Sequence, residues 1–138
     1  VDCLEWFYPK KMNSRINIQV ALNNIPNHFS PRIIGEVNDV YIKIVKILGK
    51  KVPWHHHKNE DELFYVVEGN LLLEIEGKDS FIMNEGDIFI VKKGINHRVS
   101  SDDECKIILI ENKTTAHTGD VKSEITKSID DQRQSEPL

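Results

Sequence analysis

From Val40 to Glu111 the chain is cut into short β-branched runs by turn residues, and this punctuation constrains its fold more than any other feature. Residues 40–48 run to Gly49, and 63–67 run to Glu68-Gly69-Asn70. Residues 71–76 run to Gly77-Lys78-Asp79, and 88–91 run to Lys92-Lys93-Gly94. Residues 80–83, 97–100 and 105–111 complete the set. Strands recurring about every ten residues, with no helical period between them, belong to an all-β sandwich or closed barrel. The tight turn at Gly69 predicts a hairpin between its flanking strands. Residues 13–39 read as an irregular lead-in with one or two short strands, around 16–20 and 33–37.

The ends read differently. After Thr114 the composition shifts, and residues 119–138 are charged, with few large apolar side chains. Val121, Ile125 and Ile129 are four apart, which allows only one weak helical stripe. A single domain over residues 13–118 and a polar tail over 119–138, loose after about residue 130, are therefore expected. The chain opens on Val1, and Met12 offers a natural start, so residues 1–11 carry no weight.

A length of 138 residues suits one domain, and 39% hydrophobic residues suffice for one core. The net charge is −4 with no basic stripe, so no nucleic-acid partner is expected. No run reaches the roughly 18 apolar residues of a membrane-spanning helix, and no secretory signal is visible. Two distant cysteines, Cys3 and Cys105, are too few for a disulfide framework, and a reducing, cytoplasmic setting is the default. Strand 40–48 is apolar on both faces. That predicts a homodimer in which a second subunit covers the outer face.

The chemistry concentrates in two segments. His55 and His57 are two apart, so on an extended chain they share a face while His56 points away. Glu62 follows a polar stretch able to turn the chain, and His97 lies in a second strand-like context. Taken alone, a histidine triplet is more often a solvated loop, Glu60-Asp61-Glu62 a polar turn, and His97 a half-buried histidine. Together, three imidazoles and one carboxylate make a first-row transition-metal ligand set.

Residues 49–69 carry Gly49, His55, His57, Glu62 and Gly69 in the spacing G-x5-H-x-H-x4-E-x6-G. That pattern resembles the first motif of the cupin superfamily at every fixed position. Residues 86–101 resemble the second motif through Gly86, Gly94 and His97, with Lys92 in place of the usual proline and Ser101 in place of the usual asparagine. The resemblance covers about residues 36–112. It implies a small jelly-roll (double-stranded β-helix) barrel with one divalent metal inside, held by His55, His57, Glu62 and His97. Iron, manganese, nickel, cobalt and zinc all suit such a set. The short stretch between the motifs resembles small single-domain bacterial cupins of the mannose-6-phosphate-isomerase-like subgroup.

The expected function is a metal-binding protein that binds or acts on a small polar molecule, sugar-like or carboxylate. As an enzyme it would be a metal-dependent isomerase, epimerase, lyase or dioxygenase; as a non-enzyme, a ligand-sensing module, or a structural protein whose metal fastens strands. No catalytic acid or base outside the ligands can be named, and neither a nucleophilic triad nor a phosphate loop is visible. Phe64 and Val66 are expected to face inward, and Tyr65 and Val67 outward. Trp54 suits packing or a subunit contact, and Cys105 a buried thiol. Lys46 shares the alternation face of Ile42 and Ile44, which a bulge before Gly49 explains. His28 and His117 read as surface residues.

Overall fold

The computed structural model describes residues 15–133. Residues 1–14 and 134–138 lie outside the described part, and with them Cys3, Met12 and the end of the expected tail. The order of elements is α1 (Ile18–Asn23), β1 (Arg32–Val37), β2 (Val40–Gly49), β3 (Glu62–Glu68), β4 (Leu71–Ile75), β5 (Phe81–Met83), β6 (Ile88–Val91), β7 (His97–Asn112) and α2 (Ile129–Gln132).

The first element departs from expectation. The lead-in strand around 16–20 is a helix. Its sequence is rich in β-branched residues, but Ile18, Ala21, Leu22 and Ile25 fall at helical spacing and cover one patch of the sheet. Asn17 caps the start, its side chain accepting from the Val20 amide at 3.0 Å. Burial of one face outweighs a weak local preference for strand.

The strands pair antiparallel in the order β1-β2-β7-β3-β6, with β4 pairing both β5 and β7. The closed jelly-roll barrel does not form. The main path starts at β1 and ends at β6, and β5 pairs only with β4, so among the described residues no ladder joins the two ends. The physical reason lies at the edges: β5 has 3 residues and β6 has 4, too short to carry the pairing round. The fold is a β-rich, cupin-like open sheet, and the expected interior of a barrel is instead one face of that sheet. Nor do β3 and β4 form a hairpin. At Gly69 (φ +92°) the chain leaves β3 and joins a different ladder, and a Cβ there would sit 2.8 Å from the Glu104 carbonyl oxygen.

The strands expected at 97–100 and 105–111 are one strand. The beginning of β7 pairs with β4, and the rest runs between β2 and β3. Two apolar clusters result. The larger joins Val45 and Ile47 of β2, Phe64 and Val66 of β3, Leu71 and Leu73 of β4, and Ile107 and Leu109 of β7. The smaller lies on the opposite face of β2 and β7, where Ile44 and Ile108 meet α1. Lys46 shares this outer face with Ile42 and Ile44, and the register shifts between Ile47 and Gly49 as a bulge. Ser101 closes that bulge by donating its hydroxyl to the Ile47 carbonyl at 2.9 Å.

The described part of the segment after Thr114 packs on the core, and the loose end expected after about residue 130 lies mostly outside the described residues. Thr115, Thr118, Ile125 and Gln132 are buried, and Ile125 joins the larger core. Arg133 donates to the Tyr41 hydroxyl at 2.6 Å. Residues 113–133 thus form a cover over one end of the core. No helix among the described residues is long and apolar enough to cross a membrane.

Candidate metal centre

Backbone pairing brings the histidines together. The His55 amide donates to the His97 carbonyl at 3.0 Å, the His97 amide returns the bond at 2.8 Å, and the Gly94 amide donates to the His57 carbonyl at 2.8 Å. The extended segment before β3 is thereby stitched to the start of β7. Alternation then buries His55 and His57 and leaves His56 exposed. Glu62 opens β3. Its neighbour Asp61 fixes the approach, accepting from the Lys93 amide at 2.9 Å and from Lys92 Nζ at 3.1 Å. Phe64 and Val66 continue the buried face, and Tyr65 and Val67 lie on the other.

His55, His57, Glu62 and His97 are all buried, with one donor atom each within 4.8 Å of the others. Donors about 2.1 Å from a single ion lie at most about 4.2 Å apart, so a small inward movement closes the set on one metal. The hydrogen bonds fix which nitrogen each ring offers. His55 Nδ1 lies 2.8 Å from the Pro53 carbonyl and His97 Nδ1 lies 2.9 Å from the Ile95 carbonyl. A carbonyl only accepts, so in the neutral rings both protons sit on Nδ1 and both Nε2 atoms carry lone pairs. His97 Nε2 and His57 Nε2 each face the same Glu62 oxygen, Oε1, at 3.2 Å. For neutral His97 this sets lone pair against lone pair, which either a proton on Nε2 or a metal ion between the two atoms relieves. Neither His57 nitrogen has a hydrogen bond, although both are buried. The donor set therefore fits one divalent transition metal.

Burial alone would raise the Glu62 carboxyl, but the His57 and His97 rings on its oxygen offset this and hold it well below the usual range. Burial, then the neighbouring His97, lowers His55 to about 4, so its imidazole is neutral at neutral pH, the form that can donate to a metal.

Three residues beside the centre are not apparent in the sequence. Glu111 is the direct cross-strand partner of Glu62, and its Oε2 meets Lys43 Nζ at 2.6 Å, both side chains almost fully buried. Burial, then the charge of Glu62, pushes the Glu111 carboxyl well above its ordinary value, against the pull of Lys43. The third residue is His117, expected at the surface. It lies in the cover, where burial first and Lys43 next lower it to about 4. A cavity of about 40 Å³ lies between it and the histidine cluster, with apolar walls such as Val45, Phe64 and Leu109 and polar ones at His55, Glu62, His97 and His117. The other residue read as a surface histidine, His28, pairs with Glu104 at 2.7 Å at the edge of the molecule.

The cover touches the His55–His57 segment directly. At Gly119 (φ +59°) a Cβ would fall 2.1 Å from the His56 carbonyl oxygen. Only glycine allows this approach.

A cupin domain model matches residues 46–111, which include all four clustered residues. A cupin-2 domain containing protein from Shewanella frigidimarina is 35% identical, with a TM-score of 0.68 over 71% of this chain and 94% of that one. The chain is a cupin. Other relatives of this cupin include the Bacillus subtilis protein YdbB, 30% identical over 74% of this chain and 89% of that protein. The Neisseria meningitidis protein NMB1881 is also 30% identical, with a TM-score of 0.66 over 72% of this cupin and 100% of that chain. A putative mannose-6-phosphate isomerase from Ralstonia eutropha shares the fold at 23% identity, with a TM-score of 0.59 over 72% and 96% of the two chains.

Proposed function

We propose that this cupin holds one divalent transition metal through His55, His57, His97 and Glu62 and binds a small polar molecule beside it. The observation that carries the reading is the set of four buried donors, His55, His57, Glu62 and His97, within 4.8 Å of one another, with no hydrogen bond at either His57 nitrogen. A divalent ion in this position supplies Lewis acidity toward a carbonyl, enediol or carboxylate. The chain's own contribution is the orientation of neutral imidazoles, one buried carboxylate and a largely apolar cavity that limits water.

The working unit we propose is a single cupin domain over residues 13–118, extended by the C-terminal segment, acting as a homodimer. The narrower reading is a metal-dependent isomerase, epimerase or lyase of the mannose-6-phosphate-isomerase-like kind. It is supported by the short stretch between the two histidine segments. A dioxygenase or a non-enzymatic sensing module uses the same centre, and activity on sugars, small acids and catechols, under air and without oxygen, separates these.

Elemental analysis of protein purified without a nickel column tests the centre itself. About one divalent ion per chain is expected. Full metal occupancy in a His57→Ala, His97→Ala double variant would rule the reading out.

A further inference from the structure

His117 has a hydrogen-bonding arrangement that its structural surroundings do not use up. The Lys127 amide donates to its Nδ1 at 2.9 Å. An amide N–H only donates, so in the neutral ring the proton sits on Nε2. No residue among those described accepts from that Nε2–H, and the ring lines the cavity that also exposes His55 and Glu62. The cover is built to hold the ring there. Thr118 is buried and bonded to the Val121 carbonyl and the Thr126 hydroxyl, and Gly119 is seated on the His56 carbonyl.

Resting on the metal-centre reading above, we infer that His117 is the recognition donor for a small carboxylate bound in this cavity, with one carboxylate oxygen toward the histidine cluster and the other accepting from His117 Nε2–H. Charge selects the class. Three neutral imidazoles and one carboxylate around a divalent ion leave a net single positive charge, which one monoanion neutralises. The largely apolar walls suit a short aliphatic body rather than a polyol, whose buried hydroxyls would lack partners. The size agrees, since a cavity of about 40 Å³ holds only a few small groups while the cover stays seated.

The test uses the full chain loaded with cobalt(II), whose visible absorption reports both metal binding and ligand entry, titrated with acetate. Two variants separate recognition from support. His117→Asn keeps an acceptor for the Lys127 amide near the Nδ1 position but has no donor at Nε2. His117→Gln places an amide donor near Nε2 and gives up the Nδ1 acceptor. In His117→Asn, acetate affinity should fall about tenfold with the cobalt spectrum unchanged. In His117→Gln it should stay within about threefold of the original. Equal acetate affinity in His117→Asn and the unaltered protein, with cobalt bound in both, overturns the inference and leaves the metal centre standing. A larger loss in His117→Gln than in His117→Asn also overturns it, because the ring would then only be holding Lys127. Failure of the unaltered protein to take up cobalt removes the metal reading and this inference together.

Discussion

His57 differs from the other two imidazoles in having no backbone carbonyl at either nitrogen. An unpartnered buried polar group costs roughly 1–3 kcal/mol, and a ligated ion removes that cost at one nitrogen. Metal in hundredfold excess over its dissociation constant should therefore raise the stability of the protein by about 2.7 kcal/mol, visible in thermal melts. His57→Ala should melt at the same temperature with and without metal. Protons give a second prediction for the metal-free protein. His55 and His117 are held near 4 when folded against an ordinary 6.5. Between those values the unfolded chain binds more protons than the folded one, so stability is present above pH 6.5 and is lost as pH falls toward 4. Urea midpoints measured across that window should decline, and His117→Asn should decline less steeply by up to one proton. The four clustered residues were legible because their spacing is local and strand alternation sorts His55 and His57 from His56. Lys43, Glu111 and His117 were not. Strand β2 is apolar on both faces, so alternation does not reveal which face is inner, and Lys46 drew attention in place of Lys43. The Glu62–Glu111 pairing is a matter of register between distant strands. His117 reaches the cavity only because residues beyond it are anchored.

Among the elements, the strands from β2 to β7 were readable from their β-branched runs and turns, whereas α1 and the partners of β3 were not. A run such as Ile16 to Val20 has strand composition, and only its place against Ile44 and Ile108 makes the helix worthwhile. Likewise a turn at Gly69 looks the same whether the chain folds back on its neighbour or crosses to another ladder. The C-terminal cover shows the limit of compositional reasoning. Its apolar residues are few, but Ile125 is buried in the main core and Gln132 donates to the Lys127 carbonyl at 3.0 Å. Gly119→Ala tests how firmly this element is seated. The new methyl would meet the His56 carbonyl and also strain a left-handed backbone, so a loss of more than about 1 kcal/mol is expected by urea unfolding. The same variant should bind metal more weakly, because the carbonyl it displaces lies between two of the clustered histidines.

At the scale of the whole molecule, the open sheet leaves apolar surface uncovered. Ile88 is 60% exposed, Ile90 45% and Ile110 37%, all on the outer sheet face that carries α1, beside the patch the helix covers. Register places them beside one another: Ile90 faces Leu63, Leu63 faces Ile110, and Tyr65 faces Ile88. A contiguous apolar face next to a short edge strand is what a second copy would cover. Light scattering at micromolar concentration should give twice the 15.9 kDa chain mass, and Ile88→Lys with Ile90→Lys should return it to the single-chain value. The other large-scale feature is β7, 16 residues long and hydrogen-bonded to β2, β3 and β4. His97 begins this strand and Glu62 begins a neighbour of it, whereas His55 and His57 hang on a segment held by a few stitches outside the main ladders. Two of the candidate donors thus sit on the main ladders and two on a segment with fewer backbone hydrogen bonds. Removal of a bound ion by a chelator should then require only that this segment lift, leaving the scaffold folded and half of the candidate donors in place.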